Sequence, residues 1–575
     1  MLVTTIIDKM VEIVRKNKKA NYRKLARELP WEEESVERVA LLLEKAGLAK
    51  THYAANMIEQ PWMTIKDLPK EETKHEDGKK IEEYLIPATG AHTSESIWVL
   101  KSEEERRPMY SIRRPRVTPH TRVYLEYLKM DIAKDLPIET TSSEEGMSEK
   151  FLYRRELIKQ RIKKDLNPKS DALELISDLV VNEMYGLGEL ELLIGDPKLE
   201  EIIINSCNLP VAVYHKKYGW MRTNIYLNTE EATRNYSEQI ARKVGRQISM
   251  LNPILDAHLA NGDRVNATLY PVSAHGNTIT MRLFAKNPWT IVSYLKPENT
   301  SMSTEMAALL WQAMQYEMNV LIAGGTASGK TSALNGLLSL IQPFQRIVTI
   351  EDTRELMLPT YQWNWVPLVT RLPNPEGAGE VTMLDLVVNA LRMRPDRIVM
   401  GEIRRKKEAE VLFEAMHTGH SVYSTIHADT GSQVIKRLVE PPIEVPASEI
   451  EDIHLLVVQY RDRRRNIRRT LEVSEIASSS GNPEVNKIYL WRPRNDSFQF
   501  VKSPHRYVEQ MNIHTGMTEK EVEDDQKDKQ MVLQWMVKHK LEHIEEIGKV
   551  MKAYYADEAG FLKSVSNKAT PSKVL

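Results

Sequence analysis

Residues 324–331 read Gly-Gly-Thr-Ala-Ser-Gly-Lys-Thr, a full match to the phosphate-binding pattern GxxxxGK[ST]. Gly324 and Gly329, the two glycines that this pattern specifies, have no side chains and so let consecutive backbone N–H groups approach a phosphate chain closely. Lys330 supplies a positive charge to the β- and γ-phosphates, and the Thr331 hydroxyl is suited to ligate Mg²⁺. The pattern predicts a nucleotide-binding loop formed by Gly324, Gly325, Thr326, Ala327, Ser328, Gly329, Lys330 and Thr331.

The flanks of this loop have the patterns of a strand and a helix. Residues 319–323 are a short apolar run typical of a buried parallel strand. Residues 331–341 carry leucine and isoleucine at helical spacing and end before Pro343. A strand, a glycine loop and a helix in this order direct a helix N-terminus at an anion, which disfavours a chance match.

Acidic residues follow the next apolar run. Residues 347–355 read Ile-Val-Thr-Ile-Glu-Asp-Thr-Arg-Glu and predict a strand that delivers Glu351, Asp352 and Glu355 to its carboxyl end. Ligands bind at that end of the strands in α/β sheets. Carboxylates there can hold Mg²⁺ or its waters, or activate an attacking water. The alternative is an acidic loop that caps the following helix.

Two further strands end in residues that suit phosphate chemistry. Residues 395–404 read Pro-Asp-Arg-Ile-Val-Met-Gly-Glu-Ile-Arg, a Walker B-like strand in which glycine replaces the usual aspartate before Glu402. Residues 418–429 place His420 and His427 on either side of a buried strand. A histidine at a strand end can polarise the γ-phosphate region. The alternatives are an ordinary buried strand with an acidic end, and two histidines with structural roles.

Composition limits the class of protein. The chain has 575 residues, enough for roughly three or four domains. Its 42% hydrophobic and 28% charged residues are typical of globular protein, and its net charge of −1 indicates no strong field for nucleic acid or acidic lipid. The single cysteine, Cys207, excludes an intrachain disulfide framework and a four-cysteine zinc module. Because the chain has no long apolar run and no signal-peptide pattern, we expect a cytoplasmic protein.

Periodicity and composition divide the chain into five parts. We expect a winged-helix-like helical module, a charged irregular region with a linker, an α+β domain, a P-loop domain of alternating strands and helices, and a helical tail. The predicted boundaries are 1–64, 65–150, 151–295, 296–510 and 511–575. The expected fold class is therefore α/β, with the P-loop domain preceded by the α+β domain and the small helical module.

Two charged segments suggest interaction surfaces. The would-be recognition helix of the helical module is acidic, and DNA phosphates would repel it, so we favour a protein-docking role for the module. Its charged residues are Glu32, Glu33, Glu34, Glu37 and Glu44 against Arg38 and Lys45. The segment Arg461–Arg469 carries six arginines and is a β-hairpin tip, a phosphate or partner surface, or a solvated turn.

The four motifs, in this order, resemble those of the secretion-system ATPase superfamily, whose members power type II secretion, type IV pili, type IV secretion and the archaellum. The family's Walker A, Asp box, Walker B and His box correspond here to GGTASGKT, IEDTREL, VMGEIR and TGHSVYSTIHAD. Its Walker B carries Gly-Glu, which accounts for the glycine before Glu402. The resemblance covers residues 170–480. Residues 373–404 and the helical tail look most like the archaeal branch, and Thr353 stands where bacterial pilus ATPases have proline.

The resemblance implies a fold and residue roles. Members have an α+β domain followed by a RecA-like ATPase domain, and they bind ATP and Mg²⁺ between the two. The implied catalytic residues are Glu355 as the base that activates water, Glu402 beside the metal, His420 and His427 of the His box, and Arg264 and Arg282 of the α+β domain, with Arg246 as a further candidate. The implied metal ligands are Thr331, Asp352 and Glu402. The alternative for each arginine is a surface ion pair.

The function that the resemblance implies is that of an ATPase motor. Such a motor assembles pilus- or archaellum-like filaments, or secretes protein, through a polytopic membrane platform protein. The family resemblance implies a homo-oligomer, expected to be a hexamer, at the cytoplasmic face of the cell membrane, with pilin-like or secreted proteins as indirect cargo. One alternative is a nucleic-acid translocase or DNA-uptake ATPase, which the acidic helix and the near-zero charge disfavour. Another is a nucleotide-regulated scaffold, which the intact Lys330, Glu355 and Glu402 disfavour.

Overall fold

The computed structural model divides the chain into two compact units, Met1–Phe284 and Ala285–Leu575. The residues that the structure describes are 2–53, 60–66, 78–86, 95–101, 107–113, 116–135, 144–227, 229–259, 261–284, 287–373, 377–465, 467–479 and 482–575. Part of the expected linker, 136–143, lies outside these residues. The predicted boundary between the α+β and P-loop domains lay near residue 295, about ten residues beyond the division between the two units.

The N-terminal unit begins with three helices and a small sheet. Thr5 and Asp8 form a capping box at the first helix, whose apolar side chains at Ile7, Met10 and Val14 are buried. The second, fourth and third strands form an antiparallel sheet in that order. The elements are β1 (Leu2–Val3), α1 (Ile6–Asn17), β2 (Ala20–Asn21), α2 (Tyr22–Glu28), α3 (Glu33–Lys45), β3 (Ala49–His52) and β4 (Trp62–Ile65).

The region 65–150, expected to be irregular, contains regular structure. Its elements are β5 (Lys79–Ile86), β6 (Glu95–Lys101), β7 (Met109–Arg113), β8 (Arg116–Val117) and α4 (Pro119–Asp135), and the next helix begins at Glu144. The expectation was therefore wrong for these residues. β5 is an edge strand that carries several charged residues, and exposed charges are common on edge strands because they discourage pairing with other chains.

The N-terminal unit continues with four helices and six strands. They are α5 (Glu144–Leu166), α6 (Ser170–Tyr185), α7 (Leu190–Gly195), β9 (Leu199–Ile204), β10 (Ala212–His215), β11 (Gly219–Thr223), α8 (Glu230–Lys243), β12 (Ile254–His258), β13 (Arg264–Thr268) and β14 (Thr278–Arg282). Nine strands form one sheet in the order β12-β13-β14-β9-β10-β11-β7-β6-β5. The alternating patterns of residues 265–270 and 278–284 predict two hairpin strands around Gly276, and the hairpin is present as β13 and β14, which pair antiparallel with Val265 opposite Met281.

The N-terminal helices share a hydrophobic core with the helices that follow the first strands. Leu25 and Leu43 of the helical module belong to the same buried cluster as Leu128 of α4, Ile162 of α5 and Val180 of α6. The indole of Trp31 also donates a hydrogen bond to the backbone oxygen of Asp165. The module is thus integrated into the N-terminal unit through apolar packing.

The C-terminal unit alternates strands and helices around a second large sheet. Its elements up to the last strand are α9 (Ile291–Leu295), α10 (Thr304–Gln315), β15 (Val320–Gly324), α11 (Lys330–Leu338), β16 (Ile347–Glu351), β17 (Trp365–Val369), α12 (Met383–Ala390), β18 (Arg397–Met400), α13 (Lys406–His417), β19 (Ser421–Ile426), α14 (Gly431–Val439), β20 (Leu455–Asp462), β21 (Ile467–Ser479), β22 (Asn482–Arg492) and β23 (Ser497–Phe500). The strand order is β17-β16-β18-β19-β15-β20-β21-β22-β23. The first six strands in this order are parallel, and the last three, β21, β22 and β23, are joined to the sheet and to one another by antiparallel pairing.

Five helices end the chain and pack on the C-terminal unit. They are α15 (His505–Thr515), α16 (Glu519–Lys538), α17 (Ile544–Ala556), α18 (Glu558–Ser566) and α19 (Pro571–Val574). The rings of Trp311 on α10 and Tyr554 on α17 lie 4.9 Å apart, and Gln312 accepts a hydrogen bond from the Tyr507 hydroxyl. Among the described residues, no helix combines the length and the apolar character that crossing a bilayer requires.

Candidate nucleotide site

The loop between β15 and α11 has the geometry of a phosphate-binding loop. A Cβ atom at Gly324 would lie 2.4 Å from the backbone oxygen of Gln459, so a larger residue does not fit there. Gly329, the N-cap of α11, and Ala327 have positive φ angles of 96° and 59°. The loop thus turns sharply into the N-terminus of α11, where unpaired N–H groups favour an anion.

The strand order explains why distant motifs meet at this loop. Strands β15, β19, β18 and β16 are parallel neighbours in the sheet, in that order. The residues that follow these strands therefore lie along one edge, with His427 after β19, Glu402 after β18, and Asp352 after β16. The sequence motifs are separated by up to about a hundred residues, and the parallel sheet brings them side by side.

Lys330, His427 and Glu402 form a chain of contacts. The Lys330 ammonium donates to the backbone oxygens of Gly324 and Gly325 and lies 3.2 Å from Nδ1 of His427. Nε2 of His427 lies 3.3 Å from Oε1 of Glu402. Burial lowers the pKa of Lys330, although the nearby carboxylates of Glu402, Glu355 and Asp429 oppose this effect. The pKa of His427 is lowered by burial and, next, by the charge of Lys330, which favours a neutral imidazole.

Arg404 bridges two of the carboxylates implied as metal ligands. Its Nη2 donates to Oε2 of Glu402 over 2.8 Å, and its Nη1 donates to Oδ2 of Asp352. Asp352 and Glu402 are therefore within the span of one guanidinium group. The three implied metal ligands, the carboxylates of Asp352 and Glu402 and the hydroxyl of Thr331 at the start of α11, all offer oxygen atoms, the donor type that Mg²⁺ prefers. The residues present thus fit a phosphate chain with Mg²⁺.

The loop after β16 is held by its own buried glutamate. Oε1 of Glu351 accepts the N–H groups of Glu355 and Leu356 over 2.9 and 3.0 Å. Burial raises the pKa of Glu351 to about 7. Glu355 is half-buried, and its charge lies close enough to Lys330 to act on the pKa of that residue. The acidic motif therefore contains one buried carboxyl that holds the loop, one carboxylate whose charge acts on Lys330 (Glu355), and one that pairs with Arg404 (Asp352).

The structure separates the two histidines of the His box. His427 follows the carboxyl end of β19, whereas His420 precedes its amino end and contacts the Thr418 hydroxyl through Nδ1 at 3.1 Å. Six strand residues at about 3.3 Å each separate the two positions. The structure therefore brings His427, and not His420, to the phosphate loop, because both ends of one strand cannot lie at the same edge of a sheet.

The arginine candidates of the N-terminal unit surround one aspartate. Arg264 donates to both carboxylate oxygens of Asp256 over 3.1 and 2.8 Å, and Arg246 donates to the backbone oxygen of Asp256. Arg282 is the cross-strand partner of Arg264 in the β13–β14 pair. Arg264 holds the pKa of Asp256 below its usual value. The predicted surface ion pair is thus present at Arg264, and the three arginines form one basic cluster within the N-terminal unit.

The sequence left three interpretations of the segment Arg461–Arg469 open, and the structure shows that the segment belongs to a β-hairpin. Strands β20 and β21 form a hairpin whose turn contains Arg463, Arg464 and Arg465. Nε of Arg468, on β21, donates to the backbone oxygen of Ala327 in the phosphate loop. The contact joins residues 141 positions apart, and no local pattern identifies which of the six arginines makes it.

Comparisons with known proteins indicate the family of the chain. A model of the family described as "Type II/IV secretion system protein" matches residues 189–473. The chain is 36% identical over 337 residues to an uncharacterized protein of Methanocaldococcus jannaschii, a match that covers 57% of this chain and 60% of that protein. It is 31% identical over 245 residues to the type IV secretion system protein PtlH of Bordetella pertussis, covering 39% of this chain and 72% of PtlH. The solved structure of the VirB11 ATPase from the Brucella suis type IV secretion system is 25% identical, with a TM-score of 0.26, and the match covers 50% of this chain and 93% of that one.

The P-loop fold and its site define a nucleotide-binding α/β protein. The chain belongs to the type II/IV secretion system ATPase family. It spans 60% of the length of the Methanocaldococcus jannaschii relative.

Proposed function

We propose that this chain is the ATP-hydrolysing motor of a type II/type IV secretion-like machine. The observation that carries the proposal is the chain of contacts from the phosphate loop through Lys330 and His427 to Glu402, with Arg404 linking Glu402 to Asp352. Such a line of charged and polar groups at the carboxyl edge of a parallel sheet suits the binding and cleavage of a phosphate chain.

In this proposal, each group has one task. The N–H groups of residues 324–331 and the Lys330 ammonium bind the phosphates of ATP. Glu355 accepts a proton from the attacking water, and Glu402 and His427 orient the groups around the terminal phosphate. Thr331, Asp352 and Glu402 would hold Mg²⁺, which supplies charge neutralisation at the β- and γ-phosphates when bound. Arg264 and Arg282 donate to the phosphates during turnover, since developing negative charge needs fixed, permanently charged donors.

The neutral state of His427 bears on its role. Burial and the Lys330 charge lower its pKa, so at neutral pH its two nitrogens comprise one donor and one acceptor. The Lys330 ammonium lies 3.2 Å from Nδ1 and 3.4 Å from Nε2, and Nε2 also lies next to the Glu402 carboxylate. A tautomer protonated at Nε2 lets Nδ1 accept from Lys330 and Nε2 donate to Glu402, so the imidazole links the phosphate-binding lysine to the acidic side chain. His420 stays a prediction without a contact that supports it.

We also propose particular folds for two parts of the chain. The parallel strand order supports a RecA-like ATPase domain in the C-terminal unit, and the three helices with a three-stranded sheet support a winged-helix-like module at the N-terminus. The five-part division with boundaries near 64, 150, 295 and 510 stays a prediction.

The motor would act as a homo-oligomer, with a hexamer as the expected form. Its partners would be a polytopic membrane platform protein at the cytoplasmic face of the membrane and, indirectly, pilin-like or secreted cargo. Similarity to PtlH, a type IV secretion system protein, supports secretion as one of these tasks. Closure of two domains on ATP and their release after hydrolysis would convert chemistry into rigid-body motion.

Steady-state ATPase activity of the purified chain tests the proposal. Wild type is expected to hydrolyse ATP, and Lys330→Ala is expected to lose both binding and turnover. Lys407→Ala, which changes an exposed lysine on α13, serves as the matched control. Equal rates for wild type and Lys330→Ala would remove the enzyme assignment. Stimulation by single- or double-stranded DNA with a steep salt dependence would instead favour the nucleic-acid translocase.

A further inference from the structure

A buried asparagine of the P-loop helix contacts the loop that carries Glu355. Oδ1 of Asn335 accepts the N–H of Met357 over 2.7 Å. Asn335 is 2% exposed and lies on α11, five residues after Lys330. At a rise of about 1.5 Å per residue, it is about 7.5 Å further along the same helix. The contact therefore ties the position of the acidic loop to the helix that presents the phosphate-binding lysine.

Glu351 holds the same loop from its own strand. Its Oε1 accepts the two preceding N–H groups, those of Glu355 and Leu356. Residues 355–357 lie in a segment without helix or strand, yet the three consecutive N–H groups are all bonded to two buried side chains. The Leu356 side chain is fully buried, so apolar packing reinforces the same position. Side chains of both β16 and α11 thus hold the backbone from Glu355 to Met357, while the Glu355 side chain is half-buried at the edge of the site.

Asn335 and Glu351, the two side chains that hold the loop, each bury a polar atom at a cost in stability. Among the described residues, Nδ2 of Asn335 and Oε2 of Glu351 are buried without a hydrogen-bond partner. A buried polar atom without a partner reduces stability, and an apolar side chain of similar size would avoid that cost. Each side chain is therefore better explained by the loop contacts it makes than by a contribution to core packing.

We propose that Asn335 and Glu351 are positioning residues that fix Glu355 relative to Lys330. The inference rests on the proposed function, in which Glu355 activates water. The hydrogen bonds that the structure describes for these two side chains go to residues 355–357 and not to the phosphate loop, so we expect that ATP binding does not depend on them directly. Correct placement of the base Glu355 does depend on these two side chains. An error of about 1 Å in the position of a reacting group can lower a rate about a hundredfold.

The first test separates turnover from binding. Asn335→Leu removes the acceptor at nearly constant volume, and Asn335→Asp restores an acceptor oxygen at the same place. We expect Asn335→Leu to lower kcat at least about tenfold, with the Kd for a fluorescent ATP analogue within about twofold of wild type, and Asn335→Asp to recover part of the rate. Glu351→Ala should behave like Asn335→Leu, and Glu351→Gln, which keeps an acceptor, should retain more activity. An unchanged kcat, or equal losses in kcat and affinity, would overturn the inference.

The second test asks whether Asn335 acts through Glu355. In a Glu355→Gln background, Asn335→Leu should cause little further loss of turnover, because the group that it positions is already disabled. A full multiplicative loss would contradict the inference. If Glu355→Gln alone hydrolyses ATP normally, the failure lies in the proposed base and not in the positioning. If Glu355→Gln is inactive while Asn335→Leu is normal, only the positioning inference fails.

A measurement on the wild-type protein tests the inference independently of whether the variants fold. Hydrogen exchange of the amides of Glu355, Leu356 and Met357 reports the three loop contacts directly. We expect these amides to exchange much more slowly than the amide of the exposed Thr360, which follows them in the same loop and donates to the half-buried Glu545 side chain. Exchange as fast as that of Thr360 would show that the loop is not fixed, and the inference would be lost.

Discussion

Nε of Arg468 donates a hydrogen bond to the backbone oxygen of Ala327 over 3.1 Å. Ala327 is a non-glycine residue with a positive φ of 59°, a backbone conformation that has a cost for alanine. The Cδ of the same arginine would lie 3.6 Å from a Cβ at Gly329, so Arg468 covers the outer side of the phosphate loop. By donating to the carbonyl oxygen of Ala327, the charged Arg468 side chain helps to hold this unfavourable backbone conformation and with it the binding conformation of the loop.

The Arg468 contact predicts a moderate effect on nucleotide affinity. A hydrogen bond of this kind contributes about 0.5–1.5 kcal/mol, so Arg468→Ala should weaken ATP binding by up to about tenfold. The measurement is the Kd for a fluorescent ATP analogue at fixed Mg²⁺. Arg463→Ala, in the turn of the same hairpin and exposed, is the matched control and should bind like wild type. A Kd for Arg468→Ala that equals the control would show that the loop keeps its conformation unaided.

Arg404 predicts a competition with the metal. Its guanidinium donates to Asp352 and Glu402, two of the residues that would hold Mg²⁺. The side chain is about half exposed, and an exposed ion pair contributes roughly 0.2–1 kcal/mol. Arg404→Ala should therefore lower the Mg²⁺ concentration for half-maximal ATPase activity by up to about fivefold. A Mg²⁺ titration at saturating ATP checks this, and a higher requirement in the variant would mean that Arg404 arranges the carboxylates for the metal.

Glu355 and Glu402 predict different losses. Glu355→Gln should retain ATP binding and lose turnover by about a hundredfold or more, as expected when a general base is removed. Glu402→Gln should instead raise the Mg²⁺ requirement, because it removes a charged oxygen ligand. Both are measured by single-turnover hydrolysis at varied Mg²⁺, with Glu414→Gln on the exposed side of α13 as control. Normal hydrolysis by Glu355→Gln would place the base elsewhere, with Glu402 as the next candidate.

Local patterns predicted the elements around the site well. The apolar run 319–323, the glycine loop and the helix from Lys330 are present as expected, since each depends on neighbours in sequence. The β13–β14 hairpin is also present. The strands of residues 79–113 were missed, because exposed charges on the edge strand β5 hide the alternation that normally reveals a strand.

Long-range contacts could not be read from the sequence. Whether a histidine next to a strand reaches the phosphate loop depends on which end of the strand it follows, and the strand's direction in the sheet separates His427 from His420. The contacts of Arg468 with Ala327 and of Asn335 with Met357 join different motifs through the packing of β21 and α11. Tertiary packing sets these contacts, and a single sequence carries no periodic signal for them.

Arg264 and Arg282 predict a defect in hydrolysis. They are cross-strand partners on β13 and β14, and Arg264 is paired with Asp256. Substitution of either by alanine should leave ATP binding within about twofold and slow hydrolysis at least about tenfold, because arginines of this type act mainly on developing charge. Arg234→Ala, which removes an exposed ion pair with Glu238 on α8, is the control. Unchanged rates in both variants would leave the two arginines with the surface ion-pair role alone.

His454 predicts a loss of stability in weak acid. Burial, followed by the charges of Arg506 and His514, lowers the pKa of His454 from 6.5 to about 4, and its Nδ1 accepts the N–H of Asn319 at the start of β15. Between these two pKa values the unfolded chain binds the proton and the folded chain does not, so the free energy of unfolding falls as the pH falls through this window, by at most about 3 kcal/mol. His454→Gln removes the titration and keeps a possible acceptor. Urea unfolding at pH 7 and pH 5 should therefore show a smaller decline for His454→Gln than for wild type, while His505→Gln, an exposed control, should decline like wild type. Equal declines for wild type and His454→Gln would show that His454 is protonated in the folded state without losing its contact to Asn319.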